Sequence, residues 1–299
     1  MAPQGRRIAD DVVMEQETTL FADRSDRAKL RVHGAKRLWF LHQQLTQAFE
    51  DMTPGSARDA AMITVHGRMR GYLETIATEN EVLCHFEPEL RPGLIEELSR
   101  FAPLIPVGVD DITDDWGLVL VAGPAWNEAA GLCPHAIVHE TASLGVPAVY
   151  LWMPAESTAR ALSDLAAQGF ELAAEERLEA LRIEEGVPRW GREMDFKTFP
   201  QEVGVDERAV HYNKGCYLGQ EAMAKIHFRG KVNRRLARLG GTQSLTARAD
   251  VILEGKKIGT VTSASNGRAL ALVRAEVEPG TEVMVGGLAA TVDPAEEDR

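Results

Sequence analysis

Cysteine is scarce in this chain: Cys84, Cys133 and Cys216 stand far apart, are odd in number, and none sits in a C-x-x-C pair. That excludes a disulfide framework and fits a reducing compartment. It also withholds the short two-ligand turn on which tetrahedral zinc and iron–sulfur sites are built, so no resident metal is expected, although a cluster held transiently through Cys216 stays open. Long hydrophobic runs are missing too; none approaches the roughly 18 residues of a membrane span, and the chain reads as water-soluble. Neither phosphate-cradling glycine motif, G-x-G-x-x-G after a strand or G-x-x-x-x-G-K-[ST], is present. No heptad or solenoid period occurs. The opening stretch MAPQGRRIADDVVMEQ has arginines but no apolar segment after them, so it does not read as a secretory signal, and the cytoplasm is the expected location.

The balance of charge is acidic, −12 over 299 residues, which disfavours nucleic acid as a partner of the whole surface. The charge is unevenly spread. Acids crowd into ELAAEERLEALRIEEG (171–186), whereas 222–249 holds seven Lys or Arg and no acid.

The order of elements reads as α+β. AKLRVHGAKRLWFLHQQLTQAFEDMTPG predicts a strand, a turn at Gly34, and a helix with Leu38, Leu41, Leu45 and Phe49 along one face. DAAMITVHGRMRGYLETIATENEVLCHF predicts a β-meander with turns at His66-Gly67 and Glu79-Asn80. PELRPGLIEELSRF and PAESTARALSDLAAQG predict helices, and WGLVLVAGP and GVPAVYLWMP buried strands. Helices set between strands that need not be parallel neighbours suggest a mixed or antiparallel sheet with covering helices. Beyond about residue 235 the texture changes to short strands between glycine and polar turns, the mark of a small β-barrel or sandwich. The expected domains are 1–235 and 236–299, with a frayed tail, PAEEDR.

KGCYLGQE (214–221) carries the densest chemistry. Lys214 is a candidate cation for lowering the Cys216 pKa, and Gly215 and Gly219 permit close approach of a ligand or backbone. A free cysteine is also commonly a small buried residue, and the local sequence leaves both roles open. Tyr217, Gln220 and Glu221 complete a tight turn that begins a helix or enters a strand. In LRIEEGVPRWGREMDFKTFPQEVGVDE a carboxylate and an aromatic such as Trp190 would suit a heterocycle with donor nitrogens, with Glu184 the best candidate for the ring edge and equally readable as a solvated glutamate at a helix end. Cys84 and Cys133 read as structural.

KGCYLGQE followed by AKIHFRGKVNRRL resembles the signature of the YgfZ family of tetrahydrofolate-binding proteins for iron–sulfur cluster maintenance. VHGAKRLWFLHQQLTQ, RIEEGVPRWGREMD and GKKIGTVTSAS agree with the wider likeness to the glycine-cleavage T-protein, an aminomethyltransferase, over about residues 20 to 290. The resemblance implies a T-protein-like folate-binding domain around a central cavity, with a C-terminal β-barrel. It implies tetrahydrofolate or a derivative as ligand, with Glu184 on the pterin edge, Arg182 and Trp190 beside it, and Arg229 in a basic strip near the glutamate tail. Partners implied are iron–sulfur client proteins or assembly factors, with Cys216 as the working thiol. One departure bears on catalysis: where T-protein relatives place paired aspartates, GRMRGYLE has Gly71 and Tyr72, with Glu74 nearby. A tetrahydrofolate-dependent aminomethyltransferase or demethylase is therefore the rival expectation.

Overall fold

The computed structural model describes residues 18–293 except Lys231, and the backbone but not the side chain of Arg229. The opening stretch read for a signal and the tail PAEEDR lie outside the described residues. Strands β1 (Leu20–Asp23) and β2 (Ala28–His33) precede helix α1 (Arg37–Gln44). The meander follows as β3 (Ala57–Ile63), β4 (Met69–Ala77) and β5 (Glu81–Phe86), each pair antiparallel. Next come α2 (Arg91–Ser99), β6 (Gly108–Asp111), β7 (Trp116–Ala122), α3 (Trp126–Gly131), β8 (Ile137–Thr141) and β9 (Ala148–Pro154). Then α4 (Thr158–Ala167), β10 (Glu171–Leu172), α5 (Glu175–Glu184), α6 (Asp206–Ala209) and α7 (Gln220–Arg229) lead to the C-terminal strands. These are β11 (Arg234–Gly240), β12 (Asp250–Leu253), β13 (Lys256–Ser265), β14 (Arg268–Arg274), β15 (Glu282–Val285) and β16 (Leu288–Val292).

Two five-stranded sheets form the larger part, ordered β3-β4-β5-β2-β6 and β10-β1-β7-β9-β8. Only β1 with β10 is parallel among the described pairs of these sheets. Alternation along the strands sorts the core. Leu73 of β4 and Val82, Cys84 and Phe86 of β5 join one apolar cluster with Phe40 and Leu41 of α1. Ile76 and Leu83, one residue out of step, face the other sheet and pack with Leu118, Leu120, Tyr150 and Trp152.

The C-terminal strands close into a six-stranded barrel, β11-β14-β13-β12-β15-β16. Small and β-branched residues, among them Val251, Val261, Ala271, Val273 and Val292, fill it.

One element is shorter than its apolar spacing predicts. Helix α1 stops at Gln44, and Leu45 is extended at φ −114° and ψ 162°. Leu45 and Phe49 are still buried, because the chain is drawn off the helix axis: the Thr46 N–H donates to the Ala61 carbonyl at 2.9 Å, and the Thr46 hydroxyl to that of Ala209 at 2.6 Å.

Candidate functional site

A polar row crosses the interface between the two sheets. Register sets Asp59 of β3 opposite Glu74 of β4, Glu74 opposite His85 of β5, and His85 opposite Lys29 of β2. All four therefore share one sheet face. The second sheet answers with His139, Tyr150 and Trp152, whose ring centroids lie 5.3, 4.3 and 5.5 Å from that of His85.

Arg27 organises this row. Its Nε donates to His85 Nδ1 at 2.9 Å, and its terminal nitrogens reach Glu87 at 3.0 Å and Glu74 at 3.4 Å. The Thr141 hydroxyl donates to the other Glu74 oxygen, and Tyr72 donates to Asp59 at 2.6 Å. Burial, reinforced by Arg27, pushes the His85 pKa well below the usual imidazole range. Burial lowers that of His139 to about 4. Both rings are neutral near pH 7. Asp59 moves the opposite way, its pKa raised by burial and by the facing Glu74.

Glu74, His85 and His139 bring potential ligand atoms within 4.8 Å of one another. Arg27 donates to His85 Nδ1 and faces Glu74, placing a positive charge beside this cluster, while His85 Nε2 is buried without a hydrogen-bond partner.

The row opens into a small cleft that is continuous with solvent. Tyr72, Glu74, Tyr150, Glu179, Arg189 and Trp190 are among its lining residues. Arg189 spans it, reaching Glu87 at 2.9 Å from one side and Glu175 and Glu179 of α5 at 2.6 and 2.9 Å from the other. Although burial opposes ionisation, hydrogen bonds from Arg182 and Arg189 bring the Glu179 pKa down to about 2.

The residues nominated for folate are dispersed. Trp190 and Arg182 line the cleft. Arg182 is nevertheless committed to Glu179, Glu193, the Val187 carbonyl and Ser263 of the barrel. Glu184 is not among the lining residues. At the end of α5 its side chain turns outward to Arg268 of the barrel, at 3.1 Å, while Glu179, five residues earlier, faces the cleft. The helix thus ends two residues beyond Arg182, which lines the cleft. The side chain of Arg229 lies outside what is described. Elsewhere in the basic strip, Arg234 pairs with Glu202, Arg235 donates to the Val277 carbonyl and Arg238 to that of Glu184. Three of the seven basic side chains of the strip are thus held within the fold.

The motif loop alternates buried anchors with an exposed tip. Lys214 and Tyr217 are buried, at 8% exposure each, whereas Gly215 and Cys216 are exposed. The ammonium of Lys214 donates to the carbonyls of Leu45 at 2.5 Å, Gln47 at 2.8 Å, and His42. It stands 4.6 Å from the Tyr217 ring centroid. Burial pushes its pKa down to about 7, while the three oxygens favour the charged form. An ammonium has three N–H donors, and those of Lys214 are all engaged by carbonyls, so this lysine does not hydrogen-bond the Cys216 sulfur.

Gly219 has φ +83°, and a Cβ there would run into the Thr64 carbonyl oxygen and lie 2.8 Å from Ile63 Cδ1. The turn it makes starts α7 at Gln220, whose Nε2 donates back to the Lys214 carbonyl at 3.3 Å. Glu221 is exposed in the first turn of that helix.

Sequence reading missed Arg27, Asp59, His85, Glu87, His139 and Arg189 as site residues. A usable signal existed in the strands: GYLETIA carries Glu74 and VLCHF carries His85 where the period calls for an inward apolar residue.

Residues 233–297 match the family described as CAF17, C-terminal beta-barrel domain. A protein of Shigella boydii serotype 18 named tRNA-modifying protein YgfZ is 33% identical over 260 residues, spanning 80% of this chain and 79% of that one. A chloroplastic protein of Arabidopsis thaliana is 26% identical over 297 residues, spanning 88% of this chain and 68% of its own. Among solved structures, the glycine cleavage system aminomethyltransferase T from Bartonella henselae superposes with a TM-score of 0.85 at 18% identity, over 95% of this chain and 87% of that one. That likeness establishes the T-protein fold expected from the sequence.

Proposed function

The chain belongs to the YgfZ family, and from that premise we propose that it binds tetrahydrofolate or a derivative in the cleft and uses Cys216 in assembling or repairing iron–sulfur clusters of client enzymes. The observation that carries the thiol role is access. Cys216 is exposed, whereas Cys84 is buried and Cys133 half-buried. Burial also pushes the Cys84 thiol well up, into the inert range. Only an exposed thiol can meet a partner's sulfur, iron or carbon.

The residues of the cleft fit a reduced pterin. Such a ring offers flat faces and an edge of N–H donors. Tyr72, Tyr150 and Trp190 supply aromatic surface, and Glu74, Glu87 and Glu179 supply acceptors. Glu74 and Trp190 would hold the ring, and a bound folate would supply one-carbon chemistry.

The Shigella relative is named for tRNA modification. For this chain we assign any tRNA to the client enzyme, because the net charge of −12 repels a polyanion and Arg234, Arg235 and Arg238 have partners inside the fold. No helix among the described residues is long and apolar enough to cross a membrane.

Calorimetric titration with tetrahydrofolate tests the ligand, and no heat of binding at about 1 mM would remove it. Cellular complementation tests the thiol: Cys216→Ala is expected to fold, bind folate, and fail to support iron–sulfur enzymes. Full complementation would remove Cys216 from the mechanism. A second reading, the aminomethyltransferase or demethylase, is favoured by one observation: Glu74 brings an acid into the cleft although the aligned stretch lacks the paired aspartates. Turnover of a methylamine-type donor, lost in Glu74→Gln, would support it.

A further inference from the structure

We infer that Lys214 is the positioning residue of Cys216, acting as a remote cap on the C-terminal turn of α1 and holding the Gly215-Cys216 tip at the surface. The inference takes Cys216 as the working group of the function proposed above, but it rests on geometry of its own. A helix leaves its last carbonyls without intrahelical donors, and a cation is favoured there. Here the carbonyls of His42, Leu45 and Gln47, at and just beyond the end of α1, converge on one ammonium supplied from far along the chain.

The surrounding backbone is stitched in the same direction. The His211 N–H donates to the Thr46 carbonyl at 3.0 Å, and the Thr46 hydroxyl to that of Ala209. On the far side of the tip the Tyr217 ring lies beneath the ammonium, buried in the core. The tip is therefore pinned on both sides, by Lys214 before it and Tyr217 after it. Gly219, in a conformation and a space closed to other residues, fixes the exit into α7. Because its three donors are spent, the lysine acts on Cys216 by placement of the loop and not by hydrogen bonding to the sulfur.

The test uses the purified full chain carrying Cys133→Ser, so that alkylation reports Cys216 while Cys84 stays buried. Two quantities are measured in the parent, Lys214→Met and Lys214→Arg: amide hydrogen exchange over 213–218, and the pH–rate profile of reaction with iodoacetamide. In Lys214→Met, exchange over the loop is expected to quicken about tenfold or more. The plateau alkylation rate should change about threefold or more, with the profile midpoint within about 0.3 pH unit of the parent. Lys214→Arg should recover part of the exchange protection. A midpoint raised by about one pH unit in Lys214→Met would make the lysine an electrostatic activator and overturn the inference. Unchanged loop exchange and plateau rate would overturn it as well, leaving a role in global stability alone. If Lys214→Met does not fold, Lys214→Gln, which keeps two donors without the charge, is judged by the same midpoint. Neither readout requires folate or a client enzyme, so the inference can fail while the proposed function stands, and the reverse.

Discussion

Asp59 and Glu74 face each other across β3 and β4, two carboxylates in direct register on the sheet face that looks toward the second sheet. The arrangement is tolerable because Arg208 pairs with Asp59 at 3.1 Å and Arg27 with Glu74 at 3.4 Å, while Tyr72 donates to Asp59. Asp59→Asn keeps an acceptor for Tyr72 and trades the Arg208 ion pair against relief of a like charge, and its expected cost is about 1 kcal/mol. Glu74→Ala takes a partner from the buried Arg27 and from Thr141, and its expected cost is about 3 kcal/mol. Urea midpoints of the two variants decide the matter; equal losses would contradict this account of the pair.

The buried imidazoles make stability depend on pH. His85 and His139 have folded-state pKa values below the ordinary 6.5, that of His139 at about 4, so the unfolded chain takes up protons first. Their contribution is complete above about pH 6.5 and is lost as pH falls from there toward 4, with a slope of about 1.4 kcal/mol per pH unit for each ring. Asp59, with its raised pKa, opposes this over the lower part of the window. Denaturant midpoints between pH 7 and 4.5 should fall steadily, and a flat profile would exclude the two histidines as neutral buried groups.

The two glycines of the motif should respond differently. A Cβ on Gly215 would meet only His42 Nε2, at the ordinary contact distance of 3.8 Å. Gly215→Ala is therefore expected to leave the melting temperature within about 2 °C. Gly219→Ala imposes a left-handed conformation on alanine, costing about 1–2 kcal/mol before the clash with Thr64 is added, and should lower it clearly. Thermal melts of the pair are the check.

Glu184 and Glu74 separate two placements of the ligand. Glu184→Ala removes a half-exposed pair with Arg268, and its expected effect is under about 1 kcal/mol on stability. Its effect on tetrahydrofolate affinity should be under about twofold. Glu74→Gln, inside the cleft, should weaken binding about tenfold, or about 1.4 kcal/mol. A large loss in Glu184→Ala by calorimetry would return the ring edge to Glu184.

Much of the architecture was legible because it rests on local periodicity. Alternation in DAAMITVHGRMRGYLETIA and EVLCHF, punctuated at His66-Gly67 and Glu79-Asn80, marked the meander. The short β runs beyond Arg235 marked the barrel. Leu45 and Phe49 misled for an instructive reason: they keep the helical spacing and are buried, yet Thr46 leaves the helix for the Ala61 and Ala209 carbonyls, and burial alone does not reveal which backbone conformation achieves it.

The sequence by itself determined which residue types could do chemistry, and it singled out KGCYLGQE, since a cysteine between glycines is visible without coordinates. Tertiary structure alone decided what those residues touch. Lys214 adjoins the cysteine in sequence but spends its charge on carbonyls some 170 residues earlier, as the separations of 172, 169 and 167 record. Asp59, Glu74 and His85 form a row only because strand register aligns them. Hydrogen bonds and ion pairs act over a few ångströms of space, so the partner of a charge is set by where the folded chain brings the two together and not by their distance in sequence.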